Sequence, residues 1–278
     1  MKKLYFLLFI QLVLGCGADI HFPYNEYEPN YNGGIKTVEQ IRYETVRIDE
    51  NPDKVQRRVL SYFDEKGNSI KDFSYNSENV LVEECVCIIY NKGLEKENIC
   101  IGNNDTLNGS RAVYKYDKKG RKLSYEFYWG NKFSGKREFK YENNGVDYTD
   151  YGYDKNNQLE DKTLILHDKK GRKVKTVSYV IPTEEEKGVS KYYYDKKGNE
   201  ISYTTFRDGQ KKSANYKSYD RSKNILYMKN YYFKTDNDST LNSEYKIHYE
   251  YDSHKNVISE LIIGTDEKYL TKKIITYY

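Results

Sequence analysis

Long hydrophobic runs are absent from this 278-residue sequence. The longest, Leu4 to Leu14, falls short of the ~20 apolar residues that a membrane-crossing helix needs, so no helical span is expected. Apolar residues are scarce throughout: 37% of the chain counts as hydrophobic, and that share includes 32 Tyr. A thick two-sided core is hard to fill from such a supply, since ordinary globular chains carry about 45–50% apolar residues. Charge of one sign is lacking too. Lys and Arg number 46 against 42 Asp and Glu, interspersed, for a net charge of +4. Without a basic stripe, nucleic acid is excluded as a partner class. Histidine is sparse (His21, His167, His248 and His254), and no HExxH, phosphate-binding glycine loop or GxSxG elbow occurs. These absences point to a non-enzymatic protein with no cofactor and no metal.

What the sequence does have is aromatic residues, 15% of the chain, far more than a disordered segment carries. Tyrosine suits a thin structure with half-wet faces, because its ring covers neighbours while its hydroxyl stays in water. The sequence also repeats one word. "YDKKGRKL" (116–123), "HDKKGRKV" (167–174) and "YDKKGNEI" (194–201) are near-copies, and "YFDEKGNSI" (62–70), "YNSENVLV" (75–82), "YENNGVDY" (141–148), "YDKNNQLE" (153–160), "YDRSKNIL" (219–226) and "YDSHKNVI" (251–258) are partial ones. Such self-similarity marks a repeat architecture.

The repeated word reads as a tight hairpin. Asp at the first position bonds a backbone amide two residues on, and Gly at the fourth supplies positive φ. Asp117 with Gly120, Asp168 with Gly171 and Asp195 with Gly198 are the clearest pairs. The third turn pairs Tyr194 with Glu200 and Tyr193 with Ile201. Aliphatics six places after the Asp or Asn (Ile70, Val82, Leu123, Val174, Ile201, Leu226 and Ile258) fall on one face, while Asp147 and Glu160 break the pattern. Turns with Asn79, Asn157, Lys223 or Lys255 in place of Gly are expected to be looser. Period-two segments rich in Tyr, Val, Ile and Thr flank the turns, and no helical periodicity is sustained. The fold class is therefore all-β: an elongated, twisted antiparallel sheet, a meander of repeated hairpins over residues 35–278.

The aromatic-Asp-x-x-Gly-Asn/Arg pattern resembles the YD repeats of RHS and teneurin-like proteins, over roughly residues 60–278. The resemblance implies a continuous antiparallel sheet wound from hairpins, which in long members closes into a shell around a C-terminal toxin. The array here is read as too short to enclose much.

At the other end, "MKKLYFLLFIQLVLGC" has a basic start, an apolar stretch and a small residue before Cys16, the pattern of a secretory signal peptide over residues 1–15. Val13-Leu14-Gly15-Cys16 resembles the lipobox of bacterial lipoproteins. That resemblance implies cleavage before Cys16, lipidation of its sulfur and attachment to a membrane through the lipid, with the outer membrane of the cell envelope the expected location. Residues 16–34, with Pro23, Pro29 and a Gly pair, read as a tether.

The remaining cysteines are Cys85, Cys87 and Cys100. A hairpin centred on "NKGLEKEN" places Cys87 opposite Cys100, a candidate disulfide in an exported protein; reduced thiols are the alternative, and a metal site lacks a fourth ligand. Trp129, Tyr192, Tyr193, Tyr194, Tyr203, Tyr231 and Tyr232 are candidates for an aromatic platform that binds glycan or protein, or equally for cross-strand packing. The function expected from all this is a membrane-anchored scaffold or binding protein, with glycan recognition, a fragmentary relative of toxin shells and an unaligned hydrolase as alternatives.

Overall fold

The computed structural model describes residues 31–89, 94–102, 105–142 and 145–278. All of its regular elements are strands. The chain opens with β1 (Ile35–Tyr43) and a two-residue β2 (Val46–Arg47), then β3 (Val55–Phe63), β4 (Ser69–Asn76), β5 (Leu81–Ile89) and β6 (Glu95–Gly102). Next come β7 (Asp105–Tyr116), β8 (Lys122–Trp129), β9 (Lys132–Tyr141), β10 (Tyr148–Tyr153) and β11 (Leu159–His167). β12 (Lys173–Tyr179), β13 (Glu186–Tyr194), β14 (Glu200–Arg207) and β15 (Gln210–Tyr219) continue the series. β16 (Ile225–Thr235), β17 (Asp238–Tyr251), β18 (Val257–Ile263) and β19 (Glu267–Tyr277) complete it.

From β3 to β19 each strand pairs antiparallel with the next, and β1 pairs with both β3 and β19, so 18 strands form a closed barrel. β2 adds only a short pairing to the end of β19. The elongated open sheet expected from the sequence is thus corrected: its first and last strands meet, Ile41 opposite Lys272, and closure removes both sheet edges. Eighteen strands about 4.8 Å apart make a ring roughly 27 Å across between backbones, wide enough to leave a lumen. The array does enclose a space. No pair of strands other than the bonded neighbours comes close among the described residues.

Every second connection lies at one rim. The turns at 64–68, 117–121, 142–147, 168–172, 195–199, 220–224 and 252–256 share it, so the repeating unit is a two-strand hairpin, while the copies at Asn76 and Asp154 sit at the opposite rim. The Gly residues of the turns take the expected conformation, φ +83° at Gly120, +75° at Gly171 and +88° at Gly198. Asn79, Asn157 and Lys255 adopt it as well, and their closing hydrogen bonds, each 3.0 Å, are no looser than that of Gly198 at 3.1 Å. Only Lys223, at 3.3 Å, is slacker. Tyr194 faces Glu200, but Tyr193 faces Ser202 rather than Ile201, because Ile201 is the extra residue of a bulge beside the turn. The same bulge places Ile70, Leu123, Val174, Ile201, Leu226 and Ile258 on one face at the turn rim. Val82 belongs to a turn at the opposite rim and lands on the other face. The turn from Glu142 is one residue longer than the others and closes at Asp147, and the sixth place after Glu142 is Tyr148.

Side chains converge on the concave side of a closed sheet and spread on the convex side. Most of the buried side chains, among them Asp72, Ser74, Cys85, Ala112, Tyr114, Asn215, Met228 and Ile247, share one face, which is therefore the inner one; Val177, Thr204 and Ala214 are buried on the other. Its apolar clusters are local: Ala112, Tyr114 and Tyr125 form one, and Ile225, Met228 and Ile247 another. The chain enters at the closing seam. There Asn32 donates its amide to Asn256 Oδ1 at 2.6 Å, Asn256 Nδ2 donates back to the Asn32 carbonyl at 2.9 Å, and the Tyr278 amide reaches the Gly34 carbonyl at 2.8 Å.

Candidate functional site

The repeated carboxylates do not converge. They are spaced round the turn rim, with Asp154 at the opposite one, each consumed by its own turn. Asp195 Oδ1 accepts the amides of Lys197 and Asn199 at 2.8 and 2.9 Å, and Oδ2 accepts Asn199 Nδ2 at 2.8 Å. Asp117 and Asp168 repeat the arrangement with Arg121 and Arg172, whose Nε lies 2.6 and 2.7 Å from Oδ2. This explains the Asn or Arg after the turn glycine, since only a donor can close on that second oxygen. The Arg172 side chain first, and then backbone amides, hold Asp168 down at about 2. Asp117 is lowered chiefly by the Arg121 amide. Burial pulls Asp195 upward, but the Asn199 and Lys197 bonds outweigh it and leave it lowered. These carboxylates are hydrogen-bond acceptors, poorly suited to carry a proton in a reaction.

At three turns the preceding aromatic joins one unit to the previous one: the hydroxyls of Tyr141, Tyr194 and Tyr219 donate to the carbonyls of Lys122, Lys173 and Glu200 at 3.1, 2.6 and 2.6 Å. Tyr249, two residues before Tyr251, donates likewise to the Ile225 carbonyl at 3.0 Å. The guanidinium groups of Arg121 and Arg172 cover the rings of Tyr141 and Tyr194 at 4.3 and 4.6 Å. Burial raises Tyr194 to about 12, so it remains a donor.

The aromatic platform read from the sequence is divided by the two-residue period of a strand. Tyr192, Tyr194 and Tyr203 face inward. Tyr193, between two of them, faces outward, as does Tyr231. Tyr192 and Tyr203 do meet, with ring centroids 5.8 Å apart. Trp129, 50% exposed, stands at the far rim opposite Lys132, remote in the ring from the others. No single face gathers them.

Two further clusters lie on the inner wall. Arg137 Nε contacts both oxygens of Asp150 at 2.9 and 3.1 Å, and its Nη2 reaches Asp161 at 2.6 Å, tying β9 to β10 and β11. Burial raises Asp150 despite the arginine, and burial also raises the adjacent Tyr125. The second cluster is Glu83, Cys85 and Cys100, whose ligand atoms lie within 4.8 Å of one another. Both sulfurs there are joined in a disulfide, with Cα atoms 4.0 Å apart. The candidate pair Cys87–Cys100 is thus corrected: Glu95 to Asn98, taken as loop, belong to β6, which moves Cys100 opposite Cys85 and places Asn98 opposite Cys87. Cys16, the candidate lipidation site, lies outside the described residues.

The outer wall is rich in charge, with exposed apolar side chains such as Val86, Ile88 and Ile274 between the charged ones. It carries ion pairs along its length, among them Arg58–Glu39 at 3.1 Å, Lys71–Glu84 at 2.6 Å, Lys115–Glu126 at 2.9 Å and Lys229–Glu244 at 3.6 Å. Cations also lie over outward rings, Arg58 on Tyr75 at 4.4 Å and Lys140 on Tyr151 at 4.7 Å. A membrane-spanning barrel presents an apolar band ~25 Å tall to lipid. No such band can run through these residues.

Compared by sequence, the chain matches no family model and no curated protein. Compared by structure, it is similar to a porin-like protein from Bacteroides uniformis, at 8% identity and TM-score 0.42, over 88% of this chain and 98% of that one. It is also similar to a chain of the Photorhabdus luminescens Tc holotoxin pore, at 13% identity and TM-score 0.36, over 86% of this chain but only 15% of that one. A chain of the TcdB2-TccC3-Cdc42 structure gives 13% identity and TM-score 0.36, with 82% and 14% covered. Likenesses this distant carry no functional weight.

Proposed function

We propose that this chain is a non-enzymatic, hollow binding scaffold, a water-filled barrel held at a bacterial envelope membrane by lipid on Cys16. The observation that carries the reading is the charged outer wall, which suits a body standing in water beside a membrane rather than a pore through it. The lipobox-like Val13-Leu14-Gly15-Cys16 supplies the attachment, and two or more acyl chains suffice for stable anchoring. The saturated turn carboxylates support a structural role for the most repeated ionisable groups. Replacement Cys16→Ser is expected to move the protein from the detergent phase to the aqueous phase in fractionation of the expressing cells. A Cys16→Ser protein that still requires detergent for release would reject the anchor.

A further inference from the structure

We infer that the inner wall over β12–β17 is a binding surface for a neutral oligosaccharide, with Asn215 at its centre and Tyr192 and Tyr203 as its stacking element. Two adjacent rows of side chains cross these strands. In the first, Thr176 faces Ser190, Ser190 faces Thr205, and Thr205 faces Ser213. In the second, one step nearer the turn rim, Tyr192 faces Tyr203, Tyr203 faces Asn215, Asn215 faces Asn230, and Asn230 faces Ser243. The outer wall over the same strands carries Lys191, Lys229 and Glu244. The inner rows carry no charge.

Hydroxyls and amides each donate and accept, which is the hydrogen-bonding character of sugar hydroxyls. Ser190 and Ser213 are short side chains and only half-buried. The paired rings of Tyr192 and Tyr203, tilted by 35°, offer apolar area for the C–H face of a pyranose. Two lysines border the rows: Lys217, bonded to Glu200 at 2.9 Å, and Lys173, whose Nζ lies 4.3 Å from the centroid of the Tyr192 ring.

Asn215 gives the independent sign of an occupant. It is 3% exposed, and its Nδ2 donates to Asn230 Oδ1 at 2.6 Å, yet its own Oδ1 is enclosed and has no hydrogen-bond partner. Unpaired buried acceptors are rare and costly. A sugar hydroxyl that reached this oxygen from the inner wall would complete it.

The inference rests on the hollow-barrel reading but not on the lipid anchor, so loss of membrane attachment in Cys16→Ser leaves sugar binding intact. The test titrates the full chain, in detergent micelles, with neutral linear hexasaccharides of glucose, mannose and N-acetylglucosamine, and with an oligogalacturonate, following heat of binding. At least one neutral hexasaccharide is expected to bind. Tyr203→Ala and Asn215→Leu should each weaken it tenfold or more, while Tyr193→Ala on the outer wall changes it less than twofold. Ser190→Arg, which adds bulk to the inner wall without disturbing the rows' bonds, should abolish binding with an unchanged far-ultraviolet spectrum and guards against misfolding of the Asn215 variant. Absence of binding to every neutral sugar, preference for the acidic one, or equal loss from the outer-wall variant would overturn the inference.

Discussion

The two rims of the barrel are built on different principles. At the turn rim most connections follow one design, and several are bonded to a neighbour: Arg121 donates to the Gly145 carbonyl at 3.0 Å, and the Tyr251 hydroxyl reaches Asp220 Oδ2 at 2.8 Å. Asn256 likewise donates to the Tyr277 hydroxyl at 2.8 Å. At the far rim the connections share no single form. Gly130-Asn131 and Asp208-Gly209 make two-residue turns with positive φ at both positions, whereas 180–185 holds a cis Ile181-Pro182 bond. A connection that must register with its neighbours is constrained in sequence, and one that closes only its own hairpin is not. The recurring word is therefore most regular where the units touch, although copies at Asn76 and Asp154 close hairpins at the far rim as well.

The largest expected effect tests the hairpin that lacks the word. β5 and β6 carry no copy of the turn, and the Cys85–Cys100 disulfide links them across 15 residues of chain. Closing a loop of that length stabilises by about 3 kcal/mol. Cys85→Ala combined with Cys100→Ser should lower the unfolding free energy by about that amount in non-reducing urea titrations, and dithiothreitol should reproduce the shift in the parent protein. A midpoint insensitive to both would show that the ring alone holds this hairpin.

At the turn rim, Gly198 sits at φ +88° with open space around its missing side chain. Gly198→Val should therefore cost only the conformational penalty, about 1–2 kcal/mol, and Lys196→Val in the same turn should fall within about 0.5 kcal/mol of the parent. Equal effects would remove the distinction between the two positions.

Acid should separate the rims by the smallest margin. Asp168 is held at about 2 in the fold, below the ~3.9 of an unfolded aspartate. Its contribution is complete above the unfolded value and disappears as pH falls through the folded one. Amide exchange at Gly171 and Arg172 should thus accelerate between pH ~4 and ~2 relative to Gly209 at the far rim. Parallel behaviour of the two rims would contradict the assignment of Asp168.

The turns, the strands and the all-β class were legible because each depends on residues a few places apart. Closure was not. Ile41 and Lys272 are joined by no local signal, and only the summed twist of intervening strands brings them together. The disulfide register failed by two residues because a polar stretch, Glu95 to Asn98, continued a strand where its composition suggested loop. The division of the aromatics could have been read, since Tyr192, Tyr193 and Tyr194 must alternate on any strand. The donor at the fifth position of each turn was visible as a pattern, but its partner, Asp Oδ2, was not. The inner hydroxyl rows depend on the registers of several strands at once, which no single stretch of sequence encodes.

The seam has a mechanical consequence. The chain enters beside Asn256 and Tyr278 and runs directly into β1, which is bonded along its length to β3 on one side and β19 on the other. Tension applied through the leading residues would act parallel to β1, loading both ladders in shear so that their bonds resist together instead of parting one at a time.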